Sequence, residues 1–185
     1  MEFKFNLLQH PFYQAWSDGN VSPRSLASYS DAYMAFIEGM PVFWNKIVEG
    51  LNAQSPFSDK IIKEEQYHIE LWKKWSAKLT TEYERVSLDD IVARFNEMTP
   101  SELLGAIHSF EMQQPGVAQT KKEGLIKFYG FTEEELVYFD EHLNEEPHIN
   151  FGKFLFEKYS KKKEFIKGFH EGAELIYHSL DRFVC

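Results

Sequence analysis

Residues 138–148 read Y-F-D-E-H-L-N-E-E-P-H, which sets His142 and His148 beside the carboxylates Glu145 and Glu146 in one short helical run. Two other segments carry the same chemistry: K-E-E-Q-Y-H-I-E-L-W, with Glu65 and His68, and S-F-E-M-Q-Q-P, with Glu111. Three helices that each turn carboxylate or imidazole inward are how a helical bundle builds a two-metal site. The rest of the chain reads as the scaffold for that site.

Working outward, the scaffold is helical throughout. A first helix is expected over 6–18, with His10-Pro11 near its start and Gly19-Asn20 as its stop. Ser22-Pro23 then caps a helix whose Leu26, Tyr29, Tyr33, Phe36 and Ile37 share one stripe. Gly39-Met40-Pro41 is expected to interrupt it, and 42–51 to continue at a new angle. After a loop over 52–59, Ile61, Glu65, His68, Leu71 and Trp75 line the inward face of the next helix. A connector covers 80–87 and a short amphipathic helix 88–98. Thr99-Pro100-Ser101-Glu102 opens a helix that carries Leu103, Leu104, Ile107, Phe110 and Glu111, and Pro115-Gly116 is expected to bend or break it. The segment resumes over 117–129 and Gly130 stops it. Thr132-Glu133-Glu134-Glu135 is a capping-box sequence and starts the helix that holds 138–148. A last helix over 162–183 turns Phe165, Phe169, Ala173, Ile176 and Leu180 inward. No strand alternation or internal repeat is found, so the fold class is all-α, with 1–185 as one domain.

Composition narrows the function classes. The 17 Phe, 9 Tyr and 4 Trp predict a ring-rich core that can also line a pocket. A charge of −9, from 20 basic and 29 acidic residues, argues against a nucleic-acid binder, which needs a basic face. The one cysteine, Cys185, excludes an internal disulfide and a thiolate site in the core. No apolar run is long enough to span a membrane, and the start lacks a basic region followed by an apolar one, so a cytoplasmic protein is the expectation.

Residues three or four apart on a helix share a face, so Glu65 and His68 point together, as do His142 and Glu146. A carboxylate on an apolar stripe is costly unless it is paired or metal-bound. For Glu65 and His68 a solvated pair is the competing reading. For Glu111 it is a salt bridge to Lys121. Mixed nitrogen and oxygen ligands suit iron or manganese better than magnesium. His170, Glu174 and His178, at i, i+4 and i+8, could also bind a metal, but an exposed face explains them more simply.

Together H-P-F-Y-Q-A-W, E-L-W-K-K-W, S-F-E-M-Q-Q-P, K-K-E-G-L-I-K-F-Y-G and Y-F-D-E-H resemble the haem-oxygenase-like superfamily. Within it the chain is similar to the TenA/PqqC-type branch, and there to the di-iron members typified by the chlamydial protein associating with death domains. The resemblance implies a seven-helix bundle. It also implies two irons per chain, with manganese as the alternative metal and dioxygen as co-substrate, held by Glu65, His68, Glu111, His142, Glu146 and His148.

This chain departs from the family pattern in three ways. Glu65 and His68 lie closer together than the family's first Glu and His, and a Glu stands for the family Asp. His148 falls one residue early, about 120° off the face of His142 on a regular helix unless Pro147 kinks it; otherwise Glu145 or water takes its place.

The family members that make 4-aminobenzoate consume one of their own tyrosines, with a lysine as amino donor. Their pattern falls on Tyr13, Tyr29, Tyr138 and Lys121. The expected function is therefore an iron-dependent oxidase or oxygenase acting on a small organic substrate or its own tyrosine. A non-catalytic helical module with a degenerate metal site, or a metal-independent TenA/PqqC-like enzyme, is the alternative. The expected partners are that substrate and, in a homodimer, a second copy of the chain, with no nucleic acid and no membrane.

Overall fold

The computed structural model describes residues 4–79 and 81–184; residues 1–3, Thr80 and Cys185 lie outside them. The described residues form nine α-helices: α1 (Pro11–Ser17), α2 (Pro23–Gly50), α3 (Pro56–Ser76), α4 (Asp89–Glu97), α5 (Pro100–Glu111), α6 (Gln114–Tyr129), α7 (Val137–Glu141), α8 (Glu146–Tyr159) and α9 (Lys162–Ser179). Short 3-10 turns lie at Leu7–Gln9, Glu133–Glu135 and Leu180–Phe183. No strand occurs among the described residues.

Prolines punctuate this architecture. Six of the seven sit in the first turn of a helix (α1, α2, α3, α5, α6 and α8), where the missing N–H would have had no partner. His10, Ser22, Ser55 and Thr99 cap four of those helices with side-chain acceptors. The seventh, Pro41, lies inside α2, which runs on without the expected interruption. Ile37, Met40, Phe43, Trp44 and Ile47 are all buried around it, and that packing holds the helix through one lost hydrogen bond.

Two of the expected seven helices are divided, which accounts for the nine. The break after α5 comes at Met112 and Gln113, slightly before the proline, because Pro115 is accommodated in the first turn of α6. The capping box of Thr132 and Glu135 closes only a 3-10 turn, and a separate helix, α7, begins at Val137. A second division, between α7 and α8, falls inside the ligand-rich stretch itself.

At the centre stands α5, buried at every position from Ser101 to Glu111. It approaches α9 so closely that a Cβ on Gly168 would lie 1.8 Å from the Glu102 carbonyl oxygen, and one on Gly105 would lie 2.1 Å from that of Phe165. On other sides α5 packs against α2 and α8, while α7 packs against α3 and α6. The segments bearing Glu65, Glu111 and His148 therefore meet in the interior.

Candidate metal centre and tyrosine pocket

His142 ends α7 as its C-cap, with φ −88° and ψ 2°, and Glu145 precedes the first turn of α8. The chain thus turns between His142 and Glu145, and single-helix face arithmetic does not apply across it. One consequence is that Glu146 is exposed, whereas Glu145 is buried and faces His142 and His148. A second is that His148, on a new helix axis, is buried and points inward despite falling one residue early.

Glu65, Glu111 and His148 each offer a ligand atom within 4.8 Å of the others. His148 Nδ1 lies 3.9 Å from a carboxylate oxygen of Glu65 and 3.9 Å from one of Glu111, and it shares a 2.8 Å hydrogen bond with Glu145 Oε2. His68 Nδ1 is 3.2 Å from Glu65 Oε2, and the His68 and His142 rings are 4.3 Å apart. His142 donates Nδ1–H to the Tyr138 carbonyl at 2.6 Å, which leaves its Nε2 lone pair free, 3.7 Å from Glu145 Oε1. Three carboxylates and three imidazoles are thereby buried together.

The electrostatics follow from that crowding. Burial pushes Glu111 well above the usual carboxylate range, and the charges of Glu145 and Glu65 add to the rise. Burial likewise raises Glu145, against the pull of His148. Burial alone would lower His148, but its hydrogen bond to Glu145 and the charges of Glu111 and Glu65 carry it up to about 10. Glu111 Oε1, Glu145 Oε1 and His148 Nε2 are buried without hydrogen-bond partners. Carboxylates that cannot all be charged in a dry space without an added cation, with Glu111 Oε1 and Glu145 Oε1 left unpartnered, suit a divalent ion, so these residues fit a metal centre. The competing reading of Glu111, an ion pair with Lys121, is not met among the described residues.

Lys121 serves a different surface. It is buried, forms no ion pair among the described residues, and sits 5.1 Å from the Tyr29 ring centre and 5.5 Å from that of Tyr13. Tyr33, Trp72 and Phe139 complete the wall around it. Burial brings its ammonium down to about 7. The Tyr13 and Tyr29 hydroxyls are 3.3 Å apart. Tyr138 joins this pocket to the metal centre: its ring lies 4.2 Å from that of His142 and 4.8 Å from that of Trp72. Of the other candidates, His170, Glu174 and His178 lie on an exposed face.

Spacing alone overlooks two residues here. Trp44, on α2, sets its ring 6.3 Å from that of His148, tilted by 42°. Glu64 borders a cleft of about 150 Å³ that Tyr67, Asn144 and Pro147 also line, with His148 at its base. Neither carries a signal in one sequence, because one looks like core and the other like surface.

The fold and this centre define the class: an all-α bundle of haem-oxygenase-like type with a buried carboxylate–imidazole cluster. A TenA homolog from Pseudomonas syringae pv. tomato shares the fold, with a TM-score of 0.69 over 96% of this chain and 86% of that one, at 16% identity. No protein-family model matches the chain. In sequence it is similar to proteins named 4-aminobenzoate synthase. That of Chlamydia muridarum is 29% identical over 97% of this chain and 85% of the relative, and that of Chlamydia trachomatis is 28% identical over 97% and 87%. The protein of that name from Nitrosomonas europaea is 30% identical over 68% of this chain and 61% of the relative. No described helix is long and apolar enough to cross a membrane.

Proposed function

We propose that the chain is a dimetal oxidase of haem-oxygenase-like fold that forms 4-aminobenzoate by consuming one of its own buried tyrosines. The observation that carries the reading is the adjacency of the two clusters. A buried six-residue carboxylate–imidazole centre touches Tyr138, and the Tyr138 ring packs on Trp72 in the wall around a lysine enclosed by aromatic rings. The relatives' name supports the product.

Glu65, His68, Glu111, His142, Glu145 and His148 would hold the metals, with Glu145 in the role first given to Glu146. Two irons bound there would supply the redox chemistry by which dioxygen is reduced. Glu111 comes from the central helix and would offer its carboxylate to a metal held with Glu65 and His148. The Tyr138 carbonyl holds the proton on His142 Nδ1 and so orients Nε2 as a donor. The rings around Lys121 exclude water and keep a large fraction of its amine neutral near pH 7, with a lone pair on Nζ. Tyr13 and Tyr29 hold each other's hydroxyls beneath that amine and are the candidates for the ring that is lost.

The test is aerobic incubation of the purified chain with Fe(II) and reductant. Peptide mass spectrometry should find Tyr13 or Tyr29 missing a side-chain fragment, with 4-aminobenzoate released at no more than about one per chain. An intact chain that turns over an added substrate many times would replace self-consumption with an ordinary oxygenase reaction. Metal analysis checks the ligand set separately. Glu111→Ala should leave no bound metal, Glu145→Ala should lose at least one ion, and Glu146→Ala should bind as the parent does. Equal losses from the Glu145 and Glu146 variants would refute the exchange of roles.

A further inference from the structure

A histidine that binds a metal through one ring nitrogen has to place its proton on the other, and that proton needs an acceptor. In His148 the two nitrogens face different surroundings. Nδ1 looks into the centre, towards Glu145, Glu65 and Glu111. Nε2 looks out towards the cleft between α3 and α8, and it is buried without a hydrogen-bond partner. Glu64 Oε2 lies 3.6 Å from it. The opposite oxygen of that carboxylate, Oε1, is 3.3 Å from Lys60 Nζ. Glu64 is thus tethered at the rim with one oxygen turned to the unpartnered nitrogen. A shift of roughly half an ångström closes an ordinary N–H···O bond. Its side chain is 37% exposed, so nothing in the core has to move.

We propose that Glu64 is a positioning residue of the metal centre. Its carboxylate accepts Nε2–H of His148 and so fixes the tautomer that presents the Nδ1 lone pair to a metal shared with Glu65 and Glu111. The inference rests on the metal-centre reading above, and it assigns a purpose to an otherwise ordinary surface glutamate beside Glu65. Glu141 borders the same cleft and is exposed, which makes it the control for a general charge effect.

Affinity for Co(II), measured by chelator competition, provides the test. Loss of such an outer hydrogen bond typically costs 10–100-fold in metal affinity. Glu64→Ala should fall in that range. Glu64→Gln should fall less, because its amide oxygen still accepts the bond, and Glu141→Gln should bind like the parent. In the Zn(II)-loaded chain, ¹⁵N spectra of the histidine rings should show the His148 proton on Nε2, and that signal should shift in Glu64→Ala. A Glu64→Ala chain with parental Co(II) affinity overturns the proposal and leaves the metal centre standing. So does an equal loss in Glu141→Gln. A parent chain that binds no Co(II) overturns both readings together.

Discussion

Lys121→Met should stabilise the metal-free chain by about 2–4 kcal/mol at pH 7 while abolishing 4-aminobenzoate formation. The lysine is buried, and its ammonium is lowered from 10.5 to about 7 by burial alone. The unfolded chain keeps the ordinary value, so between about pH 7 and 10.5 it binds one proton more than the folded chain does. The parent's stability therefore rises with pH across that window. Near pH 7 the depressed value costs the fold about 4 kcal/mol. Attraction of the ammonium to the surrounding rings returns about 1–2 kcal/mol, less than burial takes away. Methionine fills nearly the same volume and carries no charge to desolvate. Urea denaturation of both chains at pH 7 and pH 10 checks this, and the gap between them should shrink towards pH 10. A variant less stable than the parent at pH 7 would mean that the rings hold the ammonium better than water does. A gain in stability with loss of product would mark Lys121 as a residue kept for chemistry at the expense of the fold.

Gly168→Ala should destabilise the chain by more than about 3 kcal/mol and lower its melting temperature by roughly 10 °C. The added Cβ would meet the Glu102 carbonyl oxygen at 1.8 Å and the carbonyl carbon at 2.5 Å. Backbone cannot rotate aside as a side-chain tip can, so α9 has to move away from α5. Because α5 ends in Glu111, the same substitution should weaken metal binding even though Gly168 belongs to a different helix. Gly116→Ala is the control. Its Cβ would meet only Leu8 Cδ1, at 3.2 Å, and a flexible methyl can yield. Thermal melts of the two variants separate the outcomes, and equal melting temperatures would refute the close-approach argument.

Much of this molecule is legible in its sequence because the determining interactions are local. A cap and the proline after it satisfy or remove N–H groups within one turn, so Ser22-Pro23 and Thr99-Pro100 mark helix starts, and His10-Pro11 opens α1 rather than falling inside a helix begun at residue 6. Spacing of three and four picks out the buried faces of α3 and α9, and with the first the inward positions of Glu65 and His68; α5 is buried on all sides, so spacing does not single out Glu111 there. Tyr29 and Tyr33 fall on a buried stripe by the same rule. Pro41 lies at the limit of local reasoning, since its effect on α2 was settled by the buried rings around it.

Only the tertiary structure decided which of residues 142–148 are buried. Each helical residue turns the side chain by about 100°, so face assignment survives only while one axis continues. The chain leaves that axis after His142 and resumes a helix at Glu146, in a direction set by how α7 packs on α3 and α6 and α8 on α5. That change of axis left Glu146 exposed and buried Glu145 and His148 beside Glu65 and Glu111. The grouping of Lys121 with Tyr13 and Tyr29 came only from the family resemblance, because with Trp72 those residues lie on four different helices and no short-range rule relates their distances. The sequence determined which side chains could do chemistry and which faces carry them; packing between helices decided which of them meet.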